Sequence, residues 1–201
     1  ILRVMERRNF PVASLKLLAS RRSAGKTLDY KGKPHAVEEL TAGSFKGIDI
    51  AFFSAGAARS REFVPAAKAA GAVVIDNSSA FRMDPNTPLV VPEVNPGDLR
   101  RHKGVIANPN CTAAILAVAV WPIHQAVGIR RIVVSTYQSA SGAGAAAMQE
   151  LEDQAREHAE GRAITHSVFP HQIAFNVFSH NTAVAENGYN EEENKVVEEM
   201  R

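Results

Sequence analysis

Apolar positions along this chain change rhythm several times, and each change marks an element. Ile1, Leu2, Val4 and Met5 predict the buried face of a helix already under way, which Asn9-Phe10-Pro11 breaks. Residues 15–20 read as a short strand, Gly25 and Gly32 as turns, and residues 36–40 as another short strand. The run over 48–53 is apolar enough to predict an inner strand covered on both faces. Ser54-Ala55-Gly56, a helix over 59–70 and a second inner strand over 72–76 follow. This alternation implies a right-handed parallel α/β unit. In such sheets ligands sit at the carboxyl ends of the strands, so residues 20–26, 54–56 and 77–82 are expected around one crevice.

The second half is less regular. Turn-rich connections at 84–88 and 92–96 lead to a short strand over 105–107 and the turn Asn108-Pro109-Asn110. A helix of small and apolar residues opens at Cys111 and ends near Gly128. A β-branched strand over 131–137 enters the loop Ser139-Ala140-Ser141-Gly142-Ala143-Gly144, and a helix over 145–158 follows. Residues 191–201 read as a helix with no stop signal, so both ends of the chain have the character of cuts.

Length and charge narrow the classes. A chain of 201 residues that is 45% hydrophobic can bury one good core or two small ones. A net charge of +2 argues against nucleic acid or an anionic membrane as the main partner. The longest apolar run, 112–121, is too short to span a bilayer. One cysteine cannot form an internal disulfide, which fits a soluble protein of a reducing compartment. The seven histidines form no metal-ligand pattern, so no metal is expected.

Cys111 is the sharpest chemical signal. A turn forced by Pro109 and Asn110 puts it where a helix begins, so unpaired N–H groups and the positive end of the helix dipole face its sulfur. That setting favours the thiolate, although free cysteine is also among the most buried residue types. Gln138, at a strand end, can hold a carbonyl or polar group. Ser20-Arg21-Arg22-Ser23-Ala24-Gly25-Lys26 offers guanidinium, hydroxyl and ammonium groups where an NAD-preferring fold commonly has an acidic residue. Such groups suit a 2′-phosphate and favour NADP, or form a solvated basic loop. Arg82 can grip a phosphate or carboxylate bidentately, or pair with Asp84. The loop from Ser141 to Gly144 can cradle a cofactor through backbone N–H groups.

Together these segments resemble the aspartate-semialdehyde dehydrogenase family. The stretches that carry the resemblance are Arg22-Ser23-Ala24-Gly25-Lys26, the run from Val74-Ile75-Asp76 to Phe81-Arg82-Met83, Val90-Val91-Pro92-Glu93-Val94-Asn95-Pro96 and Ile106-Ala107-Asn108-Pro109-Asn110-Cys111. Val134-Ser135-Thr136-Tyr137-Gln138 with Ser141-Gly142-Ala143-Gly144, and Gln172-Ile173-Ala174-Phe175-Asn176, extend it. The resemblance implies NADPH-dependent reduction of β-aspartyl phosphate to aspartate semialdehyde and phosphate, on the route to lysine (through diaminopimelate), threonine and methionine. It implies that Cys111 carries the acyl group as a thioester and that Gln138 orients the substrate. It further implies that Asn110 and Arg82 belong to the phosphate site, and that Arg22, Ser23, Ser141 and Gly142 contact NADP. A homodimer or homotetramer is implied for the full-length protein.

The expected architecture is a Rossmann-like, mostly parallel sheet followed by the start of an α+β catalytic and dimerisation domain, divided as 1–108 and 109–201. The family's Gly-rich phosphate loop, its catalytic histidine and a substrate-gripping arginine have no counterpart in these residues. Thr112 stands where a serine is usual, and Ala57-Ala58 depart from a Gly-Ser pair. The tail Phe178-Ser179-His180-Asn181 with residues 187–193 looks closest to the plant and algal branch, implying a plastid stroma as the alternative to the cytoplasm. Other acyl-phosphate reductases share the thioester logic but not the 78–83 and 134–144 stretches. A non-catalytic chain that only binds a partner is the rival from another class. The histidine's proton transfer is normally worth about 10²–10⁴-fold, so the 201 residues alone should turn over little or no substrate; normal rates in a reductase assay of the isolated chain contradict this.

Overall fold

The computed structural model describes residues 1–180 and 182–201; Asn181, part of the tail motif named above, lies outside them. Two compact units divide the chain: Ile1–Val90 with Asn95–Pro109, and Val91–Val94 with Asn110–Arg201.

The first unit opens with α1 (Leu2–Arg7), then β1 (Leu17–Ala19), β2 (Thr27–Tyr30) and β3 (Lys33–Glu39). It continues with β4 (Ile50–Phe53), α2 (Ala57–Ala69), β5 (Val73–Asp76) and β6 (Val105–Ala107). The first three strands form a sheet in the order β1-β3-β2, with β1 parallel and β2 antiparallel to β3. The last three form a wholly parallel sheet, β4-β5-β6. Phe45, Phe53, Val64, Ala67, Val74 and Val105 are in the core between α2 and this sheet, and the rings of Phe45 and Phe53 stack at 5.8 Å. Gly71 makes the return from α2 to β5 possible. At φ 91° it enters the left-handed region, while its N–H bonds Lys68 O and that of Ala72 bonds Ala67 O, closing the helix end.

Two expectations for this unit need correction, and one strand was missed. The apolar residues of α1 are not a buried face: Ile1 and Val4 are exposed and the helix has no buried residue. The strand at 50–53 is covered on one face only: Ala51 and Phe53 pack in the core with residues of α2, while Ile50 and Phe52 on the opposite face stay 43% and 40% exposed. The hairpin arm β2 was not anticipated, since Thr27-Leu28-Asp29-Tyr30 carries too little apolar alternation to announce a strand.

The second unit holds α3 (Cys111–Val127), α4 (Ala145–Ala159) and α5 (Glu191–Glu199). Gly128 ends α3 as the sequence implies. Residues 131–137, read as a strand, are outside any sheet among the described residues and are exposed throughout. Their β-branched pattern meets no neighbouring backbone to form a ladder. No helix among the described residues is long and apolar enough to cross a membrane.

Residues 165–174 also lack a ladder among the described residues, and α4 takes its place. Glu150, Gln154 and Glu157 lie at i, i+4 and i+7, on one helix face, and all three are buried. Glu150 accepts the N–H groups of Ser167 (2.6 Å), Val168 (2.5 Å) and Phe169 (3.1 Å). Gln154 Oε1 accepts those of Ile173 and Ala174, both at 2.9 Å, while its Nε2 donates to Thr165 O. Glu157 accepts from Thr165 N at 2.8 Å. Backbone groups that would otherwise be buried unpaired are thereby satisfied.

Burial pushes the Glu150 carboxyl up, but the N–H groups of Val168, Ser167 and Phe169 outweigh it and hold its pKa below the ordinary glutamate value. A depressed native pKa stabilises the fold above the unfolded pKa and loses that contribution as pH falls through the native value. Glu150→Gln should therefore lower the stability of this unit by about 1–3 kcal/mol at neutral pH and flatten its acid dependence. Denaturant titrations at several pH values check this; parallel pH curves for the two proteins contradict it.

Candidate functional site

In the second unit the site is organised from the first turn of α3. Asn110 is the N-cap: its Oδ1 accepts the N–H of Thr112 at 2.8 Å and that of Ala113 at 3.4 Å. Two of the helix's orphan donors are satisfied, and Cys111 follows as the first helical residue with its side chain exposed. An exposed thiol at this position is open to a reagent or substrate, unlike a structural cysteine.

Two carboxylates from α5 close on the same residue. Glu192 and Glu199, at i and i+7, share a helix face. Glu192 Oε1 accepts from Asn110 Nδ2 at 2.8 Å, and Glu199 Oε2 accepts the Asn110 backbone N–H. Gln138 comes from the irregular segment after α3. Its Nε2 donates to Glu192 Oε1 at 2.9 Å and to Thr112 Oγ1 at 2.8 Å, and stands 4.0 Å from Cys111 Sγ. A carboxylate can only accept, so the nitrogen end of the amide faces Glu192.

Burial pushes the Glu192 carboxyl up, but hydrogen bonds from Asn110 and Gln138, with the positive charges of Lys195 and His180, outweigh it and hold its pKa below the ordinary glutamate value. Lys195 Nζ lies 3.6 Å from Glu192 and 2.8 Å from Glu191. Cys111, Asn110, Gln138, Thr112, Glu192 and Lys195 thus form one polar cluster beside an accessible sulfur. Such a cluster can bind a charged substrate while a nucleophile attacks it.

Sequence reasoning missed Glu192, Lys195 and Glu199. A signal existed: Asn190 and Glu193 form a reciprocal capping box, which fixes where α5 begins and hence which of its charges share a face. Asn110 was expected at a phosphate site; here both ends of its amide are engaged by the protein itself. Ser141 and Gly142 lie next to Gln138 in sequence and space. Ser141 Oγ bonds Ser139 Oγ at 2.6 Å, and a Cβ on Gly142 would stand 3.4 Å from Gln138 Oε1.

In the first unit Asp76, fully buried at the end of β5, accepts from Ser60 Oγ at 2.7 Å, Ser78 Oγ at 2.8 Å and Ser78 N at 3.1 Å. These bonds pin the following loop, from which Arg82 folds back to donate to Asn108 O at 2.9 Å and Asn77 O at 3.1 Å. Asn77 Nδ2 reaches Ser54 Oγ at 3.4 Å, so two of the expected strand-end loops do meet. Arg22 is exposed and Ser23 half-buried in the turn after β1, where the Ser23 N–H bonds Ser20 O at 2.8 Å.

Two family models match this chain: "semialdehyde dehydrogenase, NAD binding domain" over residues 1–102, and "semialdehyde dehydrogenase, dimerisation domain" over residues 120–201. The chain belongs to the semialdehyde dehydrogenase family. It is 50% identical over 201 residues to an aspartate-semialdehyde dehydrogenase of Synechocystis, covering all of this chain and 60% of that protein. The crystal structure of aspartate semialdehyde dehydrogenase II from Vibrio cholerae superposes with a TM-score of 0.95 at 46% identity, over 99% of this chain and 60% of that one; the same enzyme is also known complexed with ASA. A Candida albicans aspartate semialdehyde dehydrogenase with NADP matches 64% of this chain and 43% of its own, at 25% identity and a TM-score of 0.54. The chain thus spans 60% of the length of the first curated relatives it matches.

In this chain Asn110 is both a helix cap and the anchor of α5. Asn110→Ala should destabilise the second unit by about 0.5–2 kcal/mol from the lost cap. Asn110→Asp should keep the cap but set a carboxylate against Glu192, and so regain stability as pH falls into the carboxylate range. Thermal unfolding at neutral and mildly acidic pH reads both effects; equal stability of all three proteins contradicts the assignment.

Proposed function

We propose that the full-length protein reduces β-aspartyl phosphate to aspartate semialdehyde and phosphate with NADPH, through a thioester on Cys111, and serves lysine, threonine and methionine biosynthesis. The observation that carries this reading is the exposed thiol at the first residue of a capped helix, with the Gln138 amide 4.0 Å from the sulfur. The family models and the names of the relatives support the substrate class.

The sulfur attacks the β-acyl carbon, the bond to the phosphate oxygen breaks, and inorganic phosphate leaves, forming a thioester. Splitting the acyl transfer in this way replaces one hard step by two easier ones. NADPH, when bound, would supply the hydride that converts the thioester to the alkoxide of a thiohemiacetal. Breakage of the C–S bond then releases the aldehyde and returns the thiolate. Gln138 lies within reach of a carbonyl attached to that sulfur and orients it. Ionised Glu192 and Lys195 offer one negative and one positive partner to a substrate that carries an ammonium and a carboxylate. Arg82 and Asn110 are assigned to the phosphate, where a guanidinium offsets charge on the leaving group.

NADP is preferred over NAD in this reading. The turn after β1 presents the exposed Arg22 guanidinium and the Ser23 hydroxyl, a donor set that fits a 2′-phosphate. Ser141 and Gly142 are assigned to the same cofactor. A homodimer is proposed from the dimerisation-domain match. No step requires a nucleic acid, a membrane or a metal.

Cys111→Ala in the full-length protein should abolish phosphate-dependent NADP reduction with aspartate semialdehyde and leave NADPH binding, read by fluorescence titration, nearly intact. Reductase activity that survives the substitution removes Cys111 from this role.

A further inference from the structure

We infer that Thr112 is a positioning residue for the reaction at Cys111, acting by fixing the amide of Gln138; the inference rests on the substrate-orienting role proposed for Gln138. The two short contacts of the Gln138 amide nitrogen set its arrangement, with Cys111 Sγ farther off at 4.0 Å. Glu192 Oε1 can only accept, so one Gln138 N–H points to it at 2.9 Å. The second N–H is then left for Thr112 Oγ1 at 2.8 Å. Both hydrogens of the amide nitrogen are thereby used, its plane is set, and Oε1 is turned to the side where Gly142 has no side chain.

Without the Thr112 hydroxyl, the amide nitrogen keeps one short anchor, on a carboxylate that Asn110 also engages, and the longer contact to Cys111 Sγ. Gln138 sits in an exposed, unladdered segment, so little else restrains it. Thr112 itself is well placed for the task. Its backbone N–H is held by the Asn110 cap at 2.8 Å, and a β-branched side chain on a helix has few χ1 rotamers. The hydroxyl oxygen accepts from Gln138 and also stands 4.0 Å from Cys111 Sγ. One rigid hydroxyl therefore sets the distance between nucleophile and orienting amide, and a shift of about 1 Å at such a place costs on the order of 10²-fold at most.

A double-substitution cycle in the full-length protein, assayed by phosphate-dependent NADP reduction with aspartate semialdehyde, tests this. Thr112→Val, which removes the hydroxyl and keeps the shape, should lower kcat about 3–10-fold, the worth of one neutral hydrogen bond, with the KM for NADP unmoved. Thr112→Ser should recover most of that loss. In a Gln138→Ala background the same Thr112→Val change should lower kcat less than about twofold, because residues acting through one another are not additive. Unaltered kcat in Thr112→Val, a loss as large in the Gln138→Ala background as in the wild type, or a Thr112→Ser protein as impaired as Thr112→Val each overturns the inference. Wild-type kcat in Gln138→Ala overturns the role of Gln138 itself, and the inference with it, by a different result. Should Thr112→Val not fold by thermal unfolding, Thr112→Ala enters the same cycle with the same expectations.

Discussion

Asn110 cannot serve α3 without also tying that helix to α5. Its side-chain oxygen stops the first turn of α3, its side-chain nitrogen reaches Glu192, and its backbone N–H reaches Glu199. The first bond decides where the helix starts and therefore that Cys111 is its first residue. The other two bring carboxylates from a helix 82 and 89 residues further along the chain to the same turn. A nucleophile at a helix N-terminus gains from the dipole only if the turn is fixed; here one residue fixes the turn and gathers the polar groups around it. The negative charge of Glu192 beside the positive end of α3 is favourable for the same reason.

Elsewhere the second unit also replaces regular structure by side chains. The segment over 165–174 has no strand partner among the described residues, and three side chains on one stripe of α4 accept or donate its backbone hydrogen bonds. A helix can do this because positions i, i+4 and i+7 rise in step along one face, at a spacing that suits turns as well as strands. Such a clamp holds irregular backbone in one conformation, and its members must be buried and polar at once. Glu150, Gln154 and Glu157 meet both conditions because every one of them is hydrogen-bonded.

Much of the first unit was legible because local pattern and final environment agree there. The strands at β5 and β6, α2 and the Gly71 return follow from short apolar runs and one left-handed glycine. The reading failed where burial depended on a neighbour that the pattern cannot name. Ile50 and Phe52 are apolar, yet they stay exposed on the face of β4 opposite Ala51 and Phe53. Residues 131–137 have strand composition, yet no ladder forms. Thr27-Leu28-Asp29-Tyr30 pairs with β3 with little apolar signal of its own. Sequence periodicity reports what a side chain would tolerate; tertiary pairing decides what it receives.

The site divides along the same line. Cys111 stands at the start of a helix and Gln138 just after a β-branched run, and local rules find such places: a proline turn before a helix, a polar residue after that run. Glu192, Lys195 and Glu199 lie within a charged helix, where composition alone suggests a solvated face. Only the capping box at Asn190 and Glu193 sets the phase of that helix. Once the phase is known, Glu192 and Glu199 fall two turns apart on one side and Lys195 between them. The charges face one way because α5 packs against α3 on that side, where Asn110 supplies the donors. A run of glutamates was therefore informative all along, but only through the helix geometry that sorts it into two faces.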